Sequence, residues 1–254
     1  MLPTADGSLT LESARYGETY HSRHGAVQEA RHVFIEASDL RARLAARLES
    51  PSERPLELLE IGFGMGLNCL LALDTAVAFT AGERSQPVID YTGIEHAMLP
   101  VETLRAAGYA QHLRHPELAT ALHDALDALA KKPVTREQDD TRILPLHLPH
   151  LAARLHLGNA LSFPPLAATR PQPGYDIIFL DAFSPANNPE CWSEGFLARL
   201  AAVLQPGGVL CTYSARGSVR RALENAELTV EKLPGPPGKR EMLRAMSAST
   251  AQSD

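Results

Sequence analysis

The chain has 254 residues, 44% of them hydrophobic, enough for one large α/β domain or two small ones with a real core. A formal net charge of −6 argues against broad, nonspecific binding to nucleic acid, which relies on phosphate neutralisation, but it permits a local basic patch. The apolar runs are short and interrupted, so no membrane span is expected, and Met1–Asp6 lacks the basic-then-apolar pattern of a secretory signal. Cys69, Cys191 and Cys211 are odd in number and far apart, which fits neither a disulfide framework nor a zinc pattern. Buried reduced thiols and a cytoplasmic location are expected.

In chain order, residues 1–50 read as an N-terminal extension, with a short strand at Ser8–Glu12 and helical spacing over Ala26–Phe34 and Leu40–Leu48. Ser38 or Asp39 would cap the second helix, and Pro51 and Pro55 mark a break. A strand–helix alternation begins at Leu56. Strands are expected at Leu56–Ile61, Val88–Glu95, Leu151–Leu157, Asp176–Asp181 and Val209–Ser214. Helices are expected at Leu67–Phe79, Pro100–Ala107, Glu117–Ala130, Glu194–Leu204 and Ser218–Ala226, with loops over Ala81–Pro87 and Pro133–Asp140. Leu228–Leu233 and Glu241–Ala245 read as a final antiparallel pair, and the tail from Ser247 as disordered. This order predicts an α/β fold: a mostly parallel, doubly wound sheet with helices on both faces.

Two segments carry chemistry. Leu58–Asn68 reads as a buried strand, a turn with glycines at Gly62, Gly64 and Gly66, and the start of a helix. Glycines let a nucleoside-bearing cofactor approach the backbone at a strand's carboxyl end. The spacing G-x-G-x-G differs from the dinucleotide G-x-G-x-x-G. Glu60 would repel a pyrophosphate but suit the ammonium of a methionyl group, so S-adenosylmethionine is favoured over a dinucleotide. Glu95 ends the second strand, where an acid takes ribose hydroxyls, and Asn159 in Gly158-Asn159-Ala160 can donate to and accept from an adenine edge. A plain turn reads that tripeptide equally well. Asp181 opens the second segment, Asp181-Ala182-Phe183-Ser184-Pro185. A carboxylate at the lip of a buried strand can orient an attacking amine and remove its proton, and Phe183 can stack on a flat base. Trp192 reads as core. The ten histidines show no metal spacing, and no metal is expected. Arg216, Arg220, Arg221, Lys232, Lys239, Arg240 and Arg244 cluster in sequence as a candidate basic patch.

These residues resemble the tRNA wobble-uridine methyltransferase family MnmD, which is also the N-terminal half of the bifunctional MnmC. The matching stretches are Tyr20-His21-Ser22 with Glu29–Phe34, Glu60–Asn68, Phe179–Pro189 with Trp192, Pro206-Gly207-Gly208, Val219–Leu223 and Gly238–Leu243. The resemblance implies a Rossmann-like class I methyltransferase domain over 51–246. It implies methyl transfer from S-adenosyl-L-methionine to the primary amine of 5-aminomethyl-(2-thio)uridine at the tRNA wobble position. Glu60, Gly62, Phe63, Gly64, Gly66, Asn68, Glu95, Asn159 and Ala160 would then hold the cofactor and Asp181 would be catalytic. Tyr20, Phe183, Pro185, Lys239 and Arg240 would meet the tRNA anticodon loop. The chain departs from the family at Asn159, where an Asp is usual, and at Asn187, where the bifunctional enzyme has a Lys. The oxidase half is absent, so only the final methylation is expected, on an aminomethyl substrate supplied by another enzyme. Two other readings stay open: transfer to a free small amine, and a non-catalytic nucleotide-binding partner in tRNA modification.

Overall fold

The structure, a computed structural model, describes residues 1–49, 54–80, 87–131, 141–144, 150–162 and 174–249. Residues 81–86 of the loop expected at Ala81–Pro87, the loop expected at Pro133–Asp140, and the expected tail from 250 onward lie outside the described residues. The chain opens with two short ladders, β1 (Leu2–Pro3) on β2 (Leu9–Thr10) and β3 (Glu12–Ser13) on β4 (Glu18–Thr19). Helix α1 (Ala26–Ala30) runs into a π-helical turn at Arg31–Glu36, and α2 (Leu40–Glu49) follows.

The alternation then unfolds as β5 (Leu56–Ile61), α3 (Leu67–Val77), β6 (Ile89–Glu95), α4 (Val101–Ala106), α5 (Glu117–Ala130), β7 (Thr141–Leu144) and β8 (Leu151–Leu157). It continues with β9 (Tyr175–Leu180), α6 (Glu194–Ala201), β10 (Leu204–Thr212), α7 (Gly217–Asn225), β11 (Thr229–Pro234) and β12 (Glu241–Met246). Eight strands form one sheet in the order β11-β12-β10-β9-β5-β6-β8-β7. The five from β10 to β8 are parallel, while β7, β11 and β12 pair antiparallel at the two edges. The expected doubly wound sheet and C-terminal hairpin are therefore present.

Position along β5 explains the two-sided core. All six of its residues are buried, as a central parallel strand requires. Leu56 and Leu58 face a cluster built from α1 to α5, whereas Leu59 and Ile61 face one built from α6 and α7. Val27, Val33, Phe34, Leu40 and Leu44 belong to the first cluster, so the N-terminal segment shares the main core. Cys69, Cys191 and Cys211 are buried free thiols, and Trp192 is buried in the second cluster.

Three differences from expectation have physical reasons. The edge strand β7 was not anticipated: four residues are too few for a period to register. Strand β10 begins at Leu204 rather than Val209. Its register on β9 shifts between those residues, so the Pro206-Gly207-Gly208 stop signal lies inside a bulged strand. Ser247 is tied back as well, its N–H donating to the Gly208 carbonyl at 3.0 Å, so the ordered chain runs past the expected start of the tail.

At the sheet's amino end, Asp176 is buried and gathers four donors. The Glu57 N–H donates at 2.8 Å and Arg54 at 3.2 Å, and Arg47 and Gln205 complete the set. This node ties α2, β5, β9 and β10 together at the end opposite the cavity described next.

Candidate active site

The chain runs from β5 through β6 to β8 on one side, then returns to β9 and β10 on the other. That reversal leaves a crevice at the carboxyl ends of β5 and β9, the place where open α/β sheets bind ligands. A cavity of about 780 Å³ opens there, the size of a small-molecule site. Of the residues singled out in the sequence, Tyr20, Gly62, Phe63, Gly64, Glu95, Asn159, Ala160, Asp181, Phe183 and Lys239 line it. Glu60, Gly66, Asn68, Pro185 and Arg240 do not.

The glycine turn is shaped by its neighbours. Gly62 has φ +93°, and a Cβ there would lie 2.6 Å from the Asp181 carbonyl oxygen, so β5 and β9 touch through it. Gly66 has φ +76°, and its Cβ would meet the Phe63 ring at 3.0 Å. Its glycine serves the turn and the packing of Phe63, and it lies off the cavity wall where a cofactor contact was expected. Glu95 accepts from the Gly64 N–H and the Ala97 N–H, both at 2.8 Å, and so closes the turn onto β6. Burial raises the Glu95 carboxyl above its ordinary value, opposed by these N–H groups. Asn159 accepts from the Leu161 N–H at 3.0 Å, which orients its side chain; its amide N–H group and the second lone pair of its carbonyl stay open to a ligand.

Glu60 is displaced from its expected role. It is fully buried behind the wall, where Tyr91 Oη and Asn68 Nδ2 donate to it, the latter at 2.7 Å. Burial pushes its carboxyl well above the usual range. An enclosed acid whose oxygens already accept from Tyr91 and Asn68 cannot greet an ammonium from the cavity. It acts through Asn68, whose Nδ2 also donates to Asp181 Oδ2 at 2.8 Å. Glu60 therefore fixes Asn68, and Asn68 fixes Asp181.

Asp181 follows β9, its N–H donating to the Ile61 carbonyl at 2.9 Å. Burial pushes its carboxyl from 3.8 up to about 7; Glu29 adds to the rise, and Asn68 and Lys239 oppose it. The group thus stands near the point where it can take or release a proton at neutral pH.

The opposite wall comes from the N-terminal segment. Tyr16 stacks on Phe183 with centroids 4.3 Å apart and Tyr20 meets the same ring edge-on at 5.0 Å. One face of Phe183 is therefore already covered, so any flat substrate ring meets an aromatic group of three rather than Phe183 alone. Glu18 holds the loop after Asp181, accepting from the Ser184 N–H at 2.9 Å, from the Ser184 hydroxyl and from Asn187 Nδ2 at 2.7 Å. Asn187 is thus engaged by an acid, at the position where the resemblance sets a Lys in the bifunctional enzyme. Trp192 Nε1 donates to the Phe183 carbonyl at 2.8 Å and Tyr213 Oη to the Ala182 carbonyl at 2.8 Å. His21 is buried beside Tyr109, and burial pushes its imidazole down to about 4, so it is neutral near pH 7.

Tyr16, Glu18, Glu29 and Tyr213 were not anticipated. Glu29 carried a readable signal, an acid in the apolar run Ala26-Val27-Gln28-Glu29-Ala30. The other three gave none, because their roles depend on contacts over more than 30 residues of chain.

The basic cluster of the sequence is dispersed. Lys232 pairs with Glu241 at 2.8 Å, Arg220 with Glu224 at 3.1 Å, and Arg244 with Glu231 at 2.8 Å. Arg15 lines the cavity and lies over Tyr16, and Arg240 is exposed next to Lys239; neither has a carboxylate partner among the described residues.

The expected S-adenosylmethionine fits these residues. Glu95 faces the cavity as a ribose acceptor, and Asn159 offers an amide donor. Asn68 Oδ1, off the cavity wall, is buried with no hydrogen-bond partner among the described residues. Among the described residues, no three metal-ligating side chains converge and no helix is long and apolar enough to cross a membrane.

Residues 121–248 match the family model described as S-adenosyl-L-methionine-dependent methyltransferase. The chain is 36% identical over 241 residues to the tRNA 5-methylaminomethyl-2-thiouridine biosynthesis bifunctional protein MnmC of Aromatoleum aromaticum, covering 95% of this chain and 34% of that protein. It is 35% identical over 234 residues to the protein of the same description from Pseudomonas aeruginosa, covering 91% and 32%. The chain thus spans about a third of the length of these relatives. The crystal structure of MNMC2 from Aquifex aeolicus has the same fold, with a TM-score of 0.69 at 24% identity over 97% of this chain and 70% of that one.

Proposed function

We propose a function from one premise: the chain belongs to the S-adenosyl-L-methionine-dependent methyltransferase family. Its substrate on this reading is the primary amine of 5-aminomethyl-(2-thio)uridine at the tRNA wobble position, and its product is the methylaminomethyl nucleoside. The similarity to proteins described as bifunctional MnmC supports the substrate. The single observation that carries the chemistry is Asp181, a carboxylate raised to about 7 and held by Asn68 between the cofactor turn and an aromatic wall.

The bound cofactor supplies an electrophilic methyl group on a sulfonium. A primary alkylamine is largely protonated near neutral pH and has no lone pair to offer in that form. Asp181, ionised, accepts one of its protons and orients the nitrogen. Glu95 and the Gly62–Gly64 turn hold the nucleoside end of the cofactor. Tyr16, Phe183 and Tyr20 pack against the uracil ring. The wobble base lies in a single-stranded loop, so turning it into the cavity costs less than extracting a paired base. The catalytic unit is residues 51–246, and residues 1–50 complete its acceptor wall. A separate enzyme would supply the aminomethyl group, and the cytoplasm, where tRNA is modified, is the place of action.

The test is transfer of a labelled methyl group to undermodified tRNA, compared with free polyamines and nucleosides. Label in tRNA alone supports the reading. Label in a small amine, or none with cofactor binding retained, contradicts it. Two further outcomes are expected. Arg15→Gln and Arg240→Gln should each weaken tRNA binding and lower the slope of log affinity against log salt by about 1 per lost phosphate contact, measured by filter binding across salt concentrations. Glu18→Ala should free the Ser184–Asn187 loop and lower kcat/KM about tenfold or more, because misplacing an acceptor by about 1 Å is costly.

A further inference from the structure

Glu29 and Lys239 are 210 residues apart in sequence yet meet over the cavity. Lys239 Nζ lies 2.7 Å from Glu29 Oε1 and 3.8 Å from the centre of the Tyr213 ring. Glu29 is buried, and its other oxygen accepts from the Ser22 N–H at 2.9 Å. Both side chains line the same cavity as Asp181. The tip between β11 and β12 is therefore drawn inward, and Lys239 turns toward the site while the adjacent Arg240 is exposed and off the cavity wall.

We propose that Glu29 and Lys239 form a positioning pair for the acceptor amine: Glu29 fixes the Lys239 ammonium over Tyr213, and this fixed cation sets how readily Asp181 holds a proton. Lys239 is then an internal group of the site and not an RNA-backbone contact. The proposal rests on the amine-methylating reading of the cavity. The charged and titratable groups facing Asp181 are Glu29 from α1, Glu60 from β5, Tyr213 after β10 and Lys239 from the hairpin tip. Of these, Lys239 alone is a cation. It favours ionised Asp181, and Glu29 opposes it. Removing either one should therefore move Asp181 in opposite directions.

The test uses the full chain with Glu29→Gln, Lys239→Met, Lys239→Arg and the double variant Glu29→Gln/Lys239→Met. The Asp181 carboxyl is titrated by ¹³C NMR without cofactor, and kcat and KM for tRNA are measured against pH. Expected results are a midpoint near 7 in the parent chain, a higher one in Lys239→Met, a lower one in Glu29→Gln, and a return toward the parent value in the double variant. Lys239→Arg should restore the midpoint. In Lys239→Met the loss should fall on kcat at acid pH, about tenfold per unit of displacement, with KM for tRNA little changed. Unmoved midpoints in both single variants would overturn the proposal, as would a Lys239→Met effect confined to KM for tRNA. If Glu29→Gln does not fold, Lys239→Met and Lys239→Arg decide the matter alone. Because the titration needs neither cofactor nor tRNA, a shifted midpoint with no methyl transfer would sink the proposed reaction and leave the pair standing.

Discussion

Replacing Asp181 with asparagine is expected to lower turnover on tRNA by roughly 10²–10⁴-fold, the usual contribution of a positioned acid or base. Asparagine keeps the size of the side chain but cannot accept a proton. Binding of S-adenosylmethionine, measured by calorimetry, should change little, because the proposed nucleoside contacts lie on Gly62–Gly64, Glu95 and Asn159. The loss should sit in kcat rather than KM. The parent enzyme should also show a rate that rises with pH through about 7, as Asp181 ionises, and the variant should lack that inflection. The sign for stability is the reverse. The folded carboxyl titrates at about 7 and the unfolded one near 3.8, so between these values the native state holds a proton that the unfolded state has released. Its contribution to stability is therefore complete below the lower value and is lost as pH rises toward 7. Asp181→Asn should flatten that slope in urea melts run from pH 4 to 8. A kcat equal to that of the parent chain would remove Asp181 from the chemistry.

The second large effect concerns the opposite end of the sheet. Asp176→Ala is expected to destabilise the fold by about 3–5 kcal/mol, the cost of breaking a buried ion pair from one side. Asp176 is 3% exposed, and it takes the Glu57 N–H, Arg54, Arg47 and Gln205 at once. Its removal takes from the Glu57 N–H its acceptor and from the Arg47 and Arg54 guanidinium groups their counter-ion, although Arg54 keeps Gln205. The measurement is the urea midpoint of the variant, with the slope unchanged. Under conditions where the variant is folded its methyl transfer should be close to normal, because the node lies at the amino ends of the strands. A midpoint within experimental error of the parent would show that water replaces the lost carboxylate.

Particular residues show why some of this was legible in sequence. Leu56–Ile61, Glu117–Ala130 and Leu151–Leu157 have the expected bounds. A central parallel strand is apolar on both faces and α5 is amphipathic over four turns, so local pattern and tertiary burial agree. The β10 start and β7 were hidden because pairing to a neighbour, not local pattern, creates them. The site divides in the same way. Gly62, Glu95 and Asp181 are strand-end residues, and their convergence follows from the alternation of strands and helices. The neighbours of Glu60 in sequence suggest a cofactor contact, but as the residue before Ile61 its side chain points into the α3 layer, toward Asn68 and Tyr91. Tyr16, Glu18 and Glu29 reach the cavity only because residues 1–49 fold over it, which no spacing within that segment announces.

The most direct measurement is mass analysis of nucleosides from undermodified tRNA incubated with the full chain and S-adenosylmethionine. The expected result is conversion of 5-aminomethyl-(2-thio)uridine to a product one methyl group heavier on the side-chain nitrogen, with every other nucleoside unchanged. Methylation of a different nucleoside, or an unaltered aminomethyl nucleoside beside a chain that binds the cofactor, would contradict it.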